Sequence, residues 1–421
     1  MTIEASTGAP APYPQTERTL TRDLPGVGGA IKVHPEDFQV EELPLYPPIG
    51  QGEHTFFEIE KVGISTFQAV NRLARALNVS PQRISYAGLK DAQAVTRQVL
   101  SVHGVPPAAV LALELPNLTV RWAERHRNKL KIGHLQGNRF VVRIREVEES
   151  ALPVAQRILD ILVQRGVPNY FGPQRFGQRG DSALLGRAIL RRDARVFIDG
   201  FLGSPHANEH PDIQEARARY DEGQWDKALE LMPPYLSDER RALQTLAQRN
   251  GDYGRAFASV PKRLKTFLLS AYQSELFNRV LDARLDTLDR VYAGDLAMKH
   301  PGHSVFLVED ESDEQPRAAQ FEISPTGPIY GFKMIQARGH QGDLEAAVLA
   351  QEGLNQEDFR VGDGIHAQGA RRALRFRCQD TSLWFDQGLV LSFWLERGCY
   401  ATALLAEIMK VPLVEEALPE L

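Results

Sequence analysis

The chain has 421 residues, 43% of them apolar and 24% charged, with a net charge of −5 and two cysteines. That length exceeds what one hydrophobic core usually organises, so two domains are expected. The apolar runs are too short to span a bilayer and no basic segment followed by an apolar stretch opens the chain, so a cytoplasmic protein with reduced Cys378 and Cys399 is expected.

Residues 1–25 hold Thr, Pro and Ala without periodicity and read as a disordered tail. "GVGGA" (26–30) has no strand before it and no helix after it, so a flexible turn is expected rather than a phosphate loop. "AIKVHPEDFQVEEL" (30–43) reads as two short strands broken at Pro35, and "HTFFEIEKVG" (54–63) as one strand. In "STFQAVNRLARALNVS" (65–80), Phe67, Val70, Leu73, Ala74 and Leu77 share one helical face, with Ser65 placed to cap the start. "RISYAG" is a strand running into a turn, and "AVTRQVLSVHGV", "LTVRWAERH" and "NRFVVRIREV" are three further strands. In the last, Phe140, Val142 and Ile144 alternate with Arg139, Val141, Arg143 and Arg145, which puts one face on a core and the other in water. "ALPVAQRILDILVQRG" (151–166) is an amphipathic helix stopped by Gly166.

From about residue 180 helical patterns dominate: "SALLGRAILRR", "WDKALELM", "RRALQTLAQR" and "KRLKTFLLSAYQSELFNRVLDARL". A mixed Gly/Pro-punctuated stretch follows, in which the acidic "VEDESDE" (308–314) reads as a loop. Beyond Arg371 strands return, then a closing helix, "YATALLAEIMK". The expected fold class is α+β, with a mixed, largely antiparallel sheet in residues 26–166 and 370–421 and a helix-rich domain inserted at 167–369.

The chemistry-bearing residues are sparse. "HANEH" (206–210) lies between two prolines and lacks the HExxH arrangement, the cysteines lack CxxC spacing, and there is no GxSxG or phosphate-binding GK[ST], so neither a metal nor a cofactor is expected. Arg121, Arg125, Arg127, Lys129, Lys131, Arg139, Arg143 and Arg145 form a basic strip relieved only by Glu124, and Arg371–Arg377 and Lys262–Lys265 hold two more basic clusters. These are either a polyanion surface or solvated faces. In "AGLKDA", Asp91 is either a turn cap or a functional carboxylate presented at a strand end, with Lys90 near enough to favour its charged form. Lys32 stands ahead of the rigid Pro35 turn, and Asn138 and Phe140 at the mouth of the basic strand, where Phe140 also has the parity of a core residue. "NYFGPQRFGQRG" (169–180) mixes aromatics and glycines with Gln174, Arg175 and Arg179, a composition suited to stacking on bases and touching phosphates.

Taken in order, "YAGLKDAQAVTRQ", "GNRF", "NYFGPQRFG", "ISPTGPIYG" and "GCYATALLAEI" resemble the TruD family of tRNA pseudouridine synthases from about Ile31 to Met409. The resemblance implies a pseudouridine-synthase catalytic domain carrying the family's inserted domain. It makes Asp91 the catalytic aspartate, Phe140 the ring that stacks on the target uracil, Asn138 a neighbouring site residue and Lys32 the base that pairs with the aspartate. The "NYFGPQRFG" segment, with Arg175 as a substrate-binding candidate, would mark the junction with the insertion. The family usually has a basic residue after the aspartate, where this chain has Ala92. The implied substrate is tRNA, at uridine 13 of the D-arm, with no cofactor and no membrane, and a monomer is the default expectation. A synthase for another RNA and a non-catalytic RNA-binding protein on the same scaffold are the alternatives.

Overall fold

The computed structural model describes residues 19–411 apart from 363 and 366. They form two compact units, one of Thr21–Val167 with Phe376–Val411, the other built on Pro168–Arg375.

The first unit is an eight-stranded sheet with helices against it. Its strands are β1 (Phe38–Pro44), β2 (His54–Val62), β3 (Ile84–Tyr86), β4 (Val95–His103), β5 (Leu118–His126) and β6 (Leu135–Ile144), with the C-terminal hairpin Gln379–Phe385 and Leu389–Glu396. Across the sheet the order is hairpin, β6, β1, β4, β2, β5, with β3 paired to β4. Only β1 and β4 run parallel; every other neighbour is antiparallel. That single parallel pair matters for function, because it puts the two segments that enter β1 and β4 at the same end of the sheet, with Gln39 opposite Val95.

Helix α1 (Thr66–Ala76) starts as its sequence requires: the Ser65 hydroxyl accepts from the Gln68 amide, and the Gln68 side chain accepts from the Ser65 amide. Its buried face is Ala69, Val70, Leu73 and Ala74, packed on Phe57, Ile59, Leu100 and Val102 of β2 and β4. Phe67, expected on that face, is exposed. Helix α2 (Pro107–Leu111) is one short turn, while α3 (Leu152–Arg165) ends at Gly166, whose φ of +96° suits a residue without a Cβ. Helix Ala401–Met409 packs against α3.

Three expectations for the N-terminal region are corrected. Positions 1–18 of the expected tail lie outside the described residues, but Thr21 is buried, with its hydroxyl 2.8 Å and its amide 3.1 Å from the Glu407 carboxylate. The glycine turn is likewise tied down, since Val27 and Gly28 donate to the carbonyls of Ile408 and Met409. Only one strand forms across 30–43: Pro35 opens a short 3-10 turn to Asp37, and Lys32 before it takes a left-handed φ of +58°.

In the second unit the four helical patterns form helices within Ser182–Leu190, Trp225–Leu231, Ser237–Gln248 and Lys262–Arg284. They share a core that includes Phe197, Leu243, Leu269 and Tyr272. A four-stranded antiparallel sheet, ordered Ala370–Ala373, Ile323–Ile329, Leu296–Lys299, Val305–Leu307, stands where the sequence shows only mixed texture. The acidic stretch is not a loop. Asp310 caps the helix Glu311–Ala319 through the Ser312 amide, and the acids of its first turn complement the helix dipole. No helix among the described residues is long and apolar enough to cross a membrane.

Candidate active site

Lys32 lies in the segment entering β1 and Asp91 in the segment entering β4, and the parallel pairing of those strands brings them together. Lys32 Nζ is 3.1 Å from Asp91 Oδ1. The lysine side chain is only 12% exposed, while the Asp91 side chain is 34% exposed, so the carboxylate faces an opening and its cation sits behind it. The Lys32 turn is fastened from below. Asp37 is fully buried and takes two bonds from the Arg145 guanidinium (2.6 and 2.7 Å) and one from the His34 amide. Burial alone would raise the Asp37 carboxyl, but the hydrogen bonds from Arg145 and His34, the Arg145 charge and Arg143 together hold it below the usual range. Asp37→Ala therefore removes the partner of the Arg145 guanidinium, while Arg143 keeps Asp386, and loosens Lys32. We expect a lower midpoint in chemical denaturation, with a fall in turnover at temperatures where the variant remains folded.

The turn that carries Asp91 is held at nearly every residue. The Ala87 carbonyl accepts from the Gly133 amide (2.8 Å) and the Gly88 carbonyl from the buried Gln98 side chain. The Lys90 amide donates to Thr66 Oγ1 (3.0 Å), which itself donates to Gln98 Oε1 (3.0 Å). The Asp91 carbonyl accepts from Lys61 Nζ. Lys90 was expected to support the charge of Asp91, and this is corrected. Its ammonium bonds Asn138 Oδ1 (2.8 Å) and pairs with Glu42 Oε2 (2.7 Å), because a carboxylate buried as deeply as Glu42 must have a cation. Asn138 is opposite Glu42 across β1 and β6, and a side chain at neighbouring Gly137 would collide with the Leu395 carbonyl, so the strands that place Asn138 approach closely there.

Phe140 is 7% exposed. One face is stacked on Phe393 (5.1 Å between centroids, 16° between planes) and Phe38 meets it edge-on at 6.1 Å. Lys32 Nζ lies 4.6 Å from the Phe38 centroid, so Phe38 links the ion pair to the aromatic stack.

Arg175 does not belong to this unit. Its guanidinium bonds Ser274 (3.0 Å) and Ser270 (2.8 Å) on helix Lys262–Arg284. The other aromatic and arginine side chains of 169–180 are also engaged within their own unit, which corrects the reading of those groups as a base-stacking surface, while Gln174 and Gln178 are exposed. Tyr170 is buried and bonds Asp282, Phe171 packs edge-on to Phe277, and Arg179 bonds the Gly200 and Gly203 carbonyls. The irregular mixture supplies polar groups to helix ends and helix faces, so it serves packing after all. Three arginines of the Arg371–Arg377 cluster are corrected in the same way, because Arg371 is clamped on Glu345, Arg372 bonds Asn169 and Arg375 is buried against Ser324 and Ala318, while Arg377 is exposed. In the Arg121–Arg145 strip, Arg121 pairs with Glu60 and Arg143 with Asp386 and Asp37. Arg125, Arg127, Lys129, Lys131 and Arg139 have no ion pair among the described residues, and the Arg127–Lys131 part belongs to the loop whose Gly133 bonds Ala87.

The family model described as tRNA pseudouridine synthase D (TruD) matches residues 16–408. The chain belongs to this family. A Geobacter metallireducens relative named tRNA pseudouridine synthase D is 47% identical over 395 residues, covering 94% of this chain and 98% of the relative. A Thermus thermophilus relative of the same name is 37% identical over 402 residues, covering 94% and 93%. Among solved structures, a Methanosarcina mazei chain determined as a candidate TruD superposes with a TM-score of 0.84 at 28% identity, over 93% of this chain and 96% of that one. As a TruD chain it has an α+β fold with a largely antiparallel sheet, as the sequence suggests.

Sequence reasoning missed Phe38, Asp37, Glu42, Lys61, Thr66, Gln98 and Phe393. One signal was available for some of them: Glu42, Lys61 and Gln98 are polar residues at inward positions of strand patterns, where a charge or amide is costly without a partner.

Proposed function

We propose that this protein isomerises uridine to pseudouridine at position 13 in the D-arm of tRNA, with Asp91 as its catalytic carboxylate. The observation that carries this reading is the ion pair of Asp91 with Lys32 at the end of the sheet where the central strands β1 and β4 begin, on a turn fixed by partners from β2, α1 and β4. In the reaction the bond from C1′ to N1 breaks, the uracil turns, and C5 bonds to C1′; the C5 proton is lost and N1 gains one, so composition is unchanged. Asp91 acts at the sugar–base junction as nucleophile or base, and Lys32 favours its ionised form. Phe140 holds the detached uracil by stacking, which leaves the base free to rotate in its plane. Asn138, oriented by Lys90, is placed to hydrogen-bond the base. We assign the catalytic role to Thr21–Val167 with Phe376–Val411 and the family's inserted domain to Pro168–Arg375, which moves the expected return at 370 to Phe376 because Ala370–Ala373 pairs with Ile323–Ile329 in the second unit; Arg175 is a scaffold residue of the inserted domain. The chemistry asks for no cofactor, and the substrate places the protein in the cytoplasm.

Incubation with unmodified tRNA transcript, followed by mapping of pseudouridine at nucleotide resolution, tests the reading. Product at uridine 13 is expected; binding without product would instead favour an RNA-binding protein. The unpaired basic residues beside the catalytic turn make a separate prediction. Lys129→Glu with Lys131→Glu should raise KM for tRNA by about ten-fold or more with kcat little changed. The slope of log affinity against log salt should also fall by about 0.7–0.9 per lost phosphate contact.

A further inference from the structure

Among the described residues, Lys61, on β2, is the one buried ammonium of the catalytic unit for which the reaction above has no use. It has no solvent exposure, and among the described residues it makes no ion pair. Its Nζ donates to two main-chain carbonyls, those of Ile64 (2.7 Å) and Asp91 (2.6 Å). Its neighbours across the sheet, Thr96 on β4 and Leu118 on β5, offer it no charge. A buried ammonium satisfied only by neutral acceptors costs stability, and a methionine of similar length would fill the same space. An ammonium buried at such a cost, and bonded to the backbone of the residue assigned as catalytic, points to function rather than packing.

We propose that Lys61 is a positioning residue of the isomerisation: it fixes the main chain of Asp91 and supplies the catalytic turn with a second positive charge, in addition to that of Lys32. The proposal rests on Asp91 as the catalytic group. Two bonds from one ammonium tie the end of β2 to the turn before β4, so the carboxylate is held from its own backbone while Lys32 holds it at Oδ1. The charge is conditional on pH. Burial pushes Lys61 down to about 8; the Asp91 charge opposes that fall and the Lys90 charge adds to it. Glu42 is engaged by Lys90 and Lys32 by Asp91, so no free carboxylate among these groups compensates Lys61. Below about pH 8 the ammonium is present, and as pH rises through that value the turn loses it. Stability moves the other way: with a folded pKa below the unfolded one, the native state gains stability as pH climbs from about 8 toward the ordinary lysine value of 10.5. Activity and stability should therefore diverge over the same range.

The test is single-turnover kinetics with saturating enzyme on unmodified tRNA, from pH 6.5 to 9.5, for wild type and Lys61→Met, with tRNA affinity measured separately. The wild-type rate is expected to decline with a midpoint near pH 8 while the melting temperature does not fall with it. Lys61→Met should be slower by about a hundred-fold at pH 7, bind tRNA within about three-fold of wild type, and lack the decline near pH 8. A variant within about three-fold of the wild-type rate overturns the proposal, and so does a wild-type rate that stays level through pH 9. If Lys61→Met does not fold, the wild-type profile decides alone. A failure of the underlying assignment looks different, because Asp91→Asn would then retain product whatever Lys61 does.

Discussion

Asp91→Asn is expected to yield no pseudouridine, a loss of at least about a thousand-fold in single-turnover rate, while binding unmodified tRNA within about three-fold of wild type. The substitution is nearly isosteric, and the backbone contacts that hold the turn do not involve the carboxylate. The turn is held through the Ala87, Gly88 and Asp91 carbonyls and the Lys90 amide, none of which the change touches. An asparagine oxygen can still accept from Lys32 at the position of Oδ1. What disappears is the nucleophilic and basic character of a half-exposed carboxylate facing the opening. Binding should survive, because the unpaired basic residues lie elsewhere, on Arg125–Lys131 and Arg139, and one fewer negative charge near a polyanion does not weaken it. Nucleoside analysis of the digested transcript by mass spectrometry reads the result. Measurable product from the variant would remove Asp91 from the reaction, and a lower melting temperature would show the carboxylate to be a structural cap.

The pairing of Lys32 with Asp91 was expected from the family resemblance and is present, but the residues by themselves did not reveal it. Asp91 and Lys32 stand 59 positions apart, and no local pattern announces that they meet. The cause is the single parallel pairing in the sheet, between β1 and β4, and register over that distance is not written in alternation or propensity. The elements themselves were readable wherever one face is buried, as in β6 and α3. They were misread where a segment's partners are distant. The arginines of 169–180 and 371–377 look like a polyanion surface because their acceptors, Ser270, Glu345 and Asn169, are supplied by residues far along the chain. Composition cannot separate a guanidinium clamped on a helix from one waiting for phosphate. The same limit explains Lys90, whose neighbour in sequence is Asp91 but whose partner is Glu42.

Phe140 carries the second large effect, and its burial dictates the experiment. With one face on Phe393 and an edge against Phe38, truncation to alanine opens a cavity in a packed stack and should cost about 3–5 kcal/mol of stability. A loss of activity in Phe140→Ala would then report unfolding as readily as lost stacking. Phe140→Leu and Phe140→Tyr separate the two. Leucine keeps most of the volume and removes the ring; tyrosine keeps the ring, and its hydroxyl must find room toward the opening. If the ring stacks on the detached uracil, stacking of about 1–3 kcal/mol translates into about a 5- to 150-fold slower turnover for leucine, measured well below its melting temperature, with tyrosine close to wild type. If the ring is core alone, turnover below the melting temperature should be unchanged in leucine, and whichever variant is less stable should simply lose activity first on heating. Turnover of Phe140→Leu at the wild-type rate in the folded protein would leave the uracil without its platform, and the stacking surface would have to be sought on another residue of the same unit.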